Sequence, residues 1–131
     1  MLDLLALPPR SSLRFLGYFG ILESLLIHKP NPEDPYDSIT RQVKKKLALL
    51  NSRFSTPIDY KGFGNMKTEK IWETMYSYRS NLAHGNSPDF QKGLKPLGSP
   101  DRALALLNKT VKAVIRQALI EPQLIDDLRE C

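Results

Sequence analysis

The placement of its helix breakers constrains this chain more than any other feature. Most of its ten prolines and seven glycines gather at 30–35, 57–64, 85–100 and 122, between apolar runs. Proline removes a backbone donor and glycine loosens the chain, so these clusters divide it into separate segments. Within the segments the apolar residues recur mostly at helical spacing, with no strict alternation flanked by hairpin turns, so the segments read as helices.

Ser11 or Ser12 is placed to cap a first helix whose apolar stripe is Leu13, Leu16, Phe19, Leu22, Leu25 and Leu26. Pro30, Pro32 and Pro35 close it with a rigid connection. Asp37 or Ser38 then caps a second helix, with Ile39, Val43, Leu47 and Leu50 inward and Arg41, Lys44 and Lys45 outward. Residues 51–66 read as an irregular loop. A third helix begins near Thr68 with the stripe Ile71, Trp72, Met75, Tyr78 or Arg79, and Leu82, and Gly85 is placed to end it in a left-handed conformation. After a second loop over 86–98, Ser99-Pro100-Asp101 starts a fourth helix: a capping serine, proline at the first helical position and an acid in the first turn. That helix carries Leu104, Leu107, Val111, Val114, Ile115 and Ala118 and ends by Pro122, and the tail QLIDDLREC fits a short fifth helix. The expected fold is all-α: an antiparallel four-helix bundle with a short C-terminal fifth helix. At 131 residues the chain has room for one domain, 1–131, with a core over about 12–120.

Several classes are excluded. The single cysteine, Cys131, permits no intrachain disulfide and no cysteine zinc site, and His28 and His84 are too few for a histidine metal cluster. No metal and no cofactor is expected. No apolar run approaches the roughly 20 residues needed to cross a bilayer, and MLDLLALPPR carries Asp3 where a signal peptide carries positive charge. The expectation is a cytoplasmic protein without a membrane partner.

The net charge of +5 is uneven. Residues 41–70 hold eight basic and two acidic side chains, or +6, which leaves the other 101 residues at −1. A local positive face attracts polyanions by counterion release, and equally serves as a solvated helix face.

Most catalytic templates fail: there is no GxxxxGK[ST], GxSxG, HExxH or GxGxxG string. What remains is Tyr76-Ser77-Tyr78-Arg79-Ser80-Asn81-Leu82-Ala83-His84-Gly85. It places a permanently charged guanidinium and an imidazole near one helix C-terminus, whose dipole favours imidazolium. Such a pair suits phosphodiester chemistry, the arginine gripping phosphate and the histidine moving a proton.

Residues 78–85 resemble the RxxxxH motif of HEPN domains, in the Y-R-S-x-x-A-H-G form of the Apea-like group. The first helix, Tyr18-Phe19-Gly20-Ile21-Leu22-Glu23-Ser24-Leu25-Leu26, resembles the aromatic-rich ALEALL-type helix of that group. The resemblance spans about residues 12–120. It implies a HEPN-like helical bundle that pairs as a homodimer with the two motifs facing one another, and a metal-independent endoribonuclease of the kind found in toxin, antiphage or RNA-processing systems. It further implies Arg79 and His84 as catalytic residues, with Ser80, Asn81 and Glu23 in support. RNA would be held by Arg41, Lys44, Lys45 and Lys46, and an antitoxin or other partner of a larger system would be in keeping. Two places depart from the family pattern. Ser80 stands where the active ribonucleases often carry Asn, Asp or His, with the amide one place later at Asn81. Asn86 stands where the branch regulated by nucleotidylation carries Tyr.

Other readings stand beside this one. Arg79 has a structural partner available in Glu23, the acid in the apolar part of the first helix. Trp72, Met75 and Tyr76 read as core and dimer contacts rather than a base-stacking platform, and His28, ahead of Lys29-Pro30, is assigned no chemistry. A non-catalytic helical module that binds nucleic acid or a partner protein is the alternative function.

Overall fold

The computed structural model describes residues 10–30, 32–33 and 38–131. The expectations placed on Met1–Pro9, Pro35 and Asp37 lie outside the described residues. Among those described, the chain is an all-α bundle of α1 (Arg10–Leu26), α2 (Ile39–Asn51), α3 (Thr68–Ala83), α4 (Pro100–Ile120) and the short α5 (Pro122–Glu130).

The two phenylalanines of α1 set its rotation. Phe15 and Phe19 are fully buried together with Leu22 and Leu26, and their rings lie 4.5 Å from Tyr78 and 6.1 Å from Tyr76. The inward stripe is therefore Ser12, Phe15, Phe19, Leu22 and Leu26, not the expected one through Leu13, which is turned outward at 52% exposure. α1 also starts earlier than expected, at Arg10, so Ser11 and Ser12 fall inside its first turn. Ser12 is buried and hydrogen-bonds the Tyr78 side chain instead of capping. Burial beside Phe15 pushes the Tyr78 phenol above its usual range.

α2 and α4 begin where serine supplies the missing acceptor. The Ser38 and Ser99 hydroxyls accept the backbone N–H of Arg41 and Arg102, each at 3.2 Å. Val43, Leu47 and Leu50 face inward, as their spacing predicts. On α4 the buried face is Ala103, Leu106, Leu107, Thr110, Val111, Val114 and Gln117, which leaves Ile115 partly exposed. α4 packs on α1, and α5 adds Ile125 and Leu128 to the core.

The loop over 51–66 is irregular but anchored. Asn51 Oδ1 accepts the Ile58 N–H at 2.8 Å, Trp72 Nε1 donates to Tyr60 Oη at 3.0 Å, and the Arg102 guanidinium donates to the Gly62 carbonyl.

Lys46 overturns an expectation. Its side chain does not join an RNA-binding face: it is only 3% exposed. Its ammonium donates to the Leu26 carbonyl at 2.8 Å, to Gln42 Oε1 at 3.0 Å and to the Arg129 carbonyl at 3.3 Å. Leu26 and Arg129 lie at the C-terminal ends of α1 and α5, where unsatisfied carbonyls and the helix dipole both favour a cation. His28 joins the same knot, with Nδ1 3.0 Å from the Arg129 carbonyl and its backbone exchanging two hydrogen bonds with the Gln42 amide.

Candidate functional site

α3 carries the motif. Ile71, Trp72, Thr74, Met75 and Tyr78 are buried, so Tyr78 and not Arg79 completes the inward stripe. Trp72 and Met75 are wholly inside, which leaves Tyr76 as the one of that trio open to a partner. At about 100° per residue, the face opposite the core holds Glu69, Glu73, Ser77, Ser80 and His84, with Arg79 on the flank.

The helix ends by a complete C-terminal motif. Gly85, at φ 72°, donates its N–H to the Leu82 carbonyl at 3.3 Å, and Asn86 donates to the Asn81 carbonyl at 2.8 Å. These are the paired bonds of a Schellman cap, which needs the left-handed residue that glycine supplies. His84 is the residue just before the glycine, with its N–H on the Ser80 carbonyl at 3.0 Å.

Arg79 turns onto α1. Its Nε lies 3.1 Å from Glu23 Oε1, with the two side chains 28% and 21% exposed. That oxygen is buried and accepts no well-aligned hydrogen bond, so charge attraction holds the contact. The Arg79 Cζ also sits 5.8 Å from the Tyr76 ring centre, a cation–π approach. Held at Nε, the guanidinium keeps its two terminal amino groups for another anion, since nothing among the described residues engages them.

His84 is exposed, and no hydrogen bond or ion pair links it to Arg79 among the described residues. Five residues of helix separate the two by about 140° and about 7.5 Å along the axis. One chain thus brings Arg79, Glu23 and Tyr76 together and presents His84 on a different side of α3. Ser80 and Asn81 are half-buried beside them. Asn81 contributes its backbone carbonyl to the cap, and its amide makes no hydrogen bond to His84.

The remaining basic residues of α2 lie elsewhere. Arg41, Lys44 and Lys45 line a groove of about 570 Å³ together with Ala48, Leu49 and Glu69. Glu69 is 15 residues before His84, or about 22 Å along α3. Lys44 Nζ bonds Glu73 Oε1 at 2.7 Å, and this hydrogen bond holds the Glu73 carboxyl below its ordinary range. With Lys46 inside and Lys44 engaged, the basic face is smaller than the count over 41–70 suggests.

The spacing of α2 contained a signal for Lys46, which falls between Val43, Leu47 and Leu50 on the core stripe. The approach of Tyr76 to Arg79 follows from their i, i+3 spacing. The Lys44–Glu73 bridge joins two helices and has no local signature.

Among the described residues no group of three or more His, Cys, Asp or Glu side chains is placed to hold a metal. No helix there is long and apolar enough to cross a membrane. The chain matches no protein-family model, no curated protein and no solved structure.

Proposed function

We propose that the chain is a HEPN-type endoribonuclease that acts as a homodimer and needs no metal. The observation carrying this reading is the Arg79 guanidinium, fixed through Nε by Glu23 with its outer amino groups open, five residues before an exposed imidazole at a capped helix end. A guanidinium so held is oriented for bidentate contact with a phosphate. Arg79 and His84 stand about 140° apart around α3, and in this reading a second copy completes the site. Arg79 of one subunit would then meet the partner's His84 across the pair.

In the reaction, the RNA 2′-oxygen attacks the adjacent phosphorus, the P–O2′ bond forms and the P–O5′ bond breaks. His84 takes the 2′-hydroxyl proton as general base, and a proton passes to the departing 5′-oxygen from the second imidazole. The products are a cyclic phosphate and a 5′-hydroxyl. Arg79 stabilises the charge that builds on the phosphoryl oxygens.

The second reading is a non-catalytic module, favoured by the absence of any direct Arg79–His84 contact within the chain. Cleavage of a mixed-sequence RNA in EDTA separates the two. The wild type is expected to cut, while His84→Ala and Arg79→Lys, prepared identically, do not. Equal cleavage by all three would place the activity elsewhere, and no cleavage by the wild type as a verified dimer would leave the binding module as the better reading.

A further inference from the structure

The outward face of α4 is a second surface, apart from the α3 motif. At about 100° per residue, Lys109, Lys112, Ile115, Arg116, Leu119 and Ile120 share one arc of about 140°. That arc lies opposite the side on which Leu106, Thr110, Val114 and Gln117 are buried.

Two kinds of side chain mingle on it. Lys109, Lys112 and Arg116 are exposed, and no carboxylate among the described residues contacts them. After Asp101 the helix carries no acid, and Glu121, just beyond its end, is taken up by Arg53 and the Gln117 amide. Among these cations stand Ile115, Leu119 and Ile120, which are 41%, 82% and 63% exposed. Such a concentration of open aliphatic side chains marks a contact surface. At the edge of the face, Arg116 shares a cleft of about 20 Å³ with Phe54, Ser55, Thr56, Ala113 and Gln117. That is room for about one oxygen atom. The Ser55 and Thr56 hydroxyls make no hydrogen bond among the described residues, so two free donors and a guanidinium line a space that a phosphate oxygen fits.

We infer that this face lies on an anionic lipid bilayer, with Lys109, Lys112 and Arg116 against headgroup phosphates and Ile115, Leu119 and Ile120 entering the boundary of the acyl layer. The pairing of cations with aliphatic side chains decides the occupant. A nucleic-acid strand would use the cations but leave the three aliphatic side chains in water, and α4 carries no aromatic ring for a base to stack on. A second copy, set α4 against α4, would bring like charges together. An anionic bilayer answers both, with phosphates at its surface and acyl chains beneath, while the long basic stems lie along the apolar side chains with their charges outward. The expectation of a chain without a membrane partner rested on the lack of a spanning segment, and contact with one leaflet needs none.

Co-sedimentation of the whole chain with vesicles tests this. The probes are vesicles of phosphatidylcholine alone and vesicles of phosphatidylcholine mixed with phosphatidylglycerol. The chain is expected to bind the mixed vesicles at least tenfold more tightly than the neutral ones. Lys112→Glu and Leu119→Asp, both exposed and checked for an unchanged circular dichroism spectrum, should each weaken that binding at least tenfold. Lys70→Glu makes the same charge change at an exposed position of α3 and should leave it within twofold. Absence of binding, equal binding to both vesicles, indifference to Leu119→Asp, or an equal loss in Lys70→Glu would overturn the assignment. So would a dimer that Leu119→Asp splits in size-exclusion chromatography, which would give the face to a second copy. A short single-stranded RNA bound by the wild type and lost in Lys112→Glu, with vesicles unbound, would give it to nucleic acid. His84→Ala should bind vesicles as the wild type does, so this proposal and the ribonuclease reading stand or fall separately.

Discussion

Arg79 on α3 and Glu23 on α1 meet at 3.1 Å with both side chains mostly withdrawn from water, so one ion pair both fastens the two helices and fixes the guanidinium. Removing one partner leaves the other partly buried and uncompensated. Glu23→Gln should therefore lower stability by about 1–2 kcal/mol, less than for a fully buried pair because water still reaches both groups. The double variant Glu23→Gln/Arg79→Met should lose less than the sum of the single changes. Urea denaturation midpoints check this, and additive losses would show that the pair does not couple.

The Lys46 ammonium is expected to matter more. Lys46→Met retains the volume but strands the Leu26 carbonyl and leaves Gln42 Oε1 and the Arg129 carbonyl with His28 alone, at a cost of about 2–3 kcal/mol. Amide hydrogen exchange should quicken first in α5, whose C-terminal end keeps only the His28 contact. Uniform exchange across all helices would instead mean that α5 does not open as a unit.

Two glycines should respond in opposite directions. Gly85 sits at φ 72°, so Gly85→Ala strains the α3 cap and should cost about 1 kcal/mol. Gly17 lies inside α1, and a Cβ there meets nothing within 4 Å. Gly17→Ala should stabilise by about 0.5–1 kcal/mol through helix propensity. Thermal melting of the two variants reads both signs. A loss at Gly17 would indicate that another molecule approaches α1 there.

Acid should weaken specific links between helices. Glu73 and Glu121 are both held below their ordinary value of 4.5, chiefly by hydrogen bonds from Lys44 and Arg53. A carboxylate with a lowered folded pKa stabilises above its unfolded value and loses that contribution as pH falls through the folded one. Wild type and Glu73→Gln should thus differ in melting temperature at pH 7 and converge below the lowered Glu73 value. A gap that stays constant to pH 2 would show that Lys44 and Glu73 do not interact through charge.

The helical order of this chain is legible because its punctuation is local. Ser38, Ser99-Pro100 and Gly85 each act within one turn, and all three do what their positions predict. The pairing of Glu23 with Arg79 is also readable, as an acid in an apolar helix needs a cation. The rotation of α1 is not, because it depends on Phe15 and Phe19 meeting Tyr78 and Tyr76, which are about 60 residues away. Counting charges over 41–70 misleads for the same reason. Solvation of Lys44 and Lys46 is decided by Glu73 and by the ends of α1 and α5, none of which the local composition contains.

The Lys46 knot also sets an order of events during synthesis. One of its acceptors lies 20 residues earlier in the chain and another 83 residues later. A nascent chain that has made α1 and α2 but not α5 holds an ammonium at the edge of its forming core with a missing acceptor. Water must keep that edge open until α5 leaves the ribosome. Long-range closure of this kind slows folding relative to a bundle built from neighbouring contacts. Sealing of the α1–α2 junction therefore waits for α5, however early α1 and α2 form.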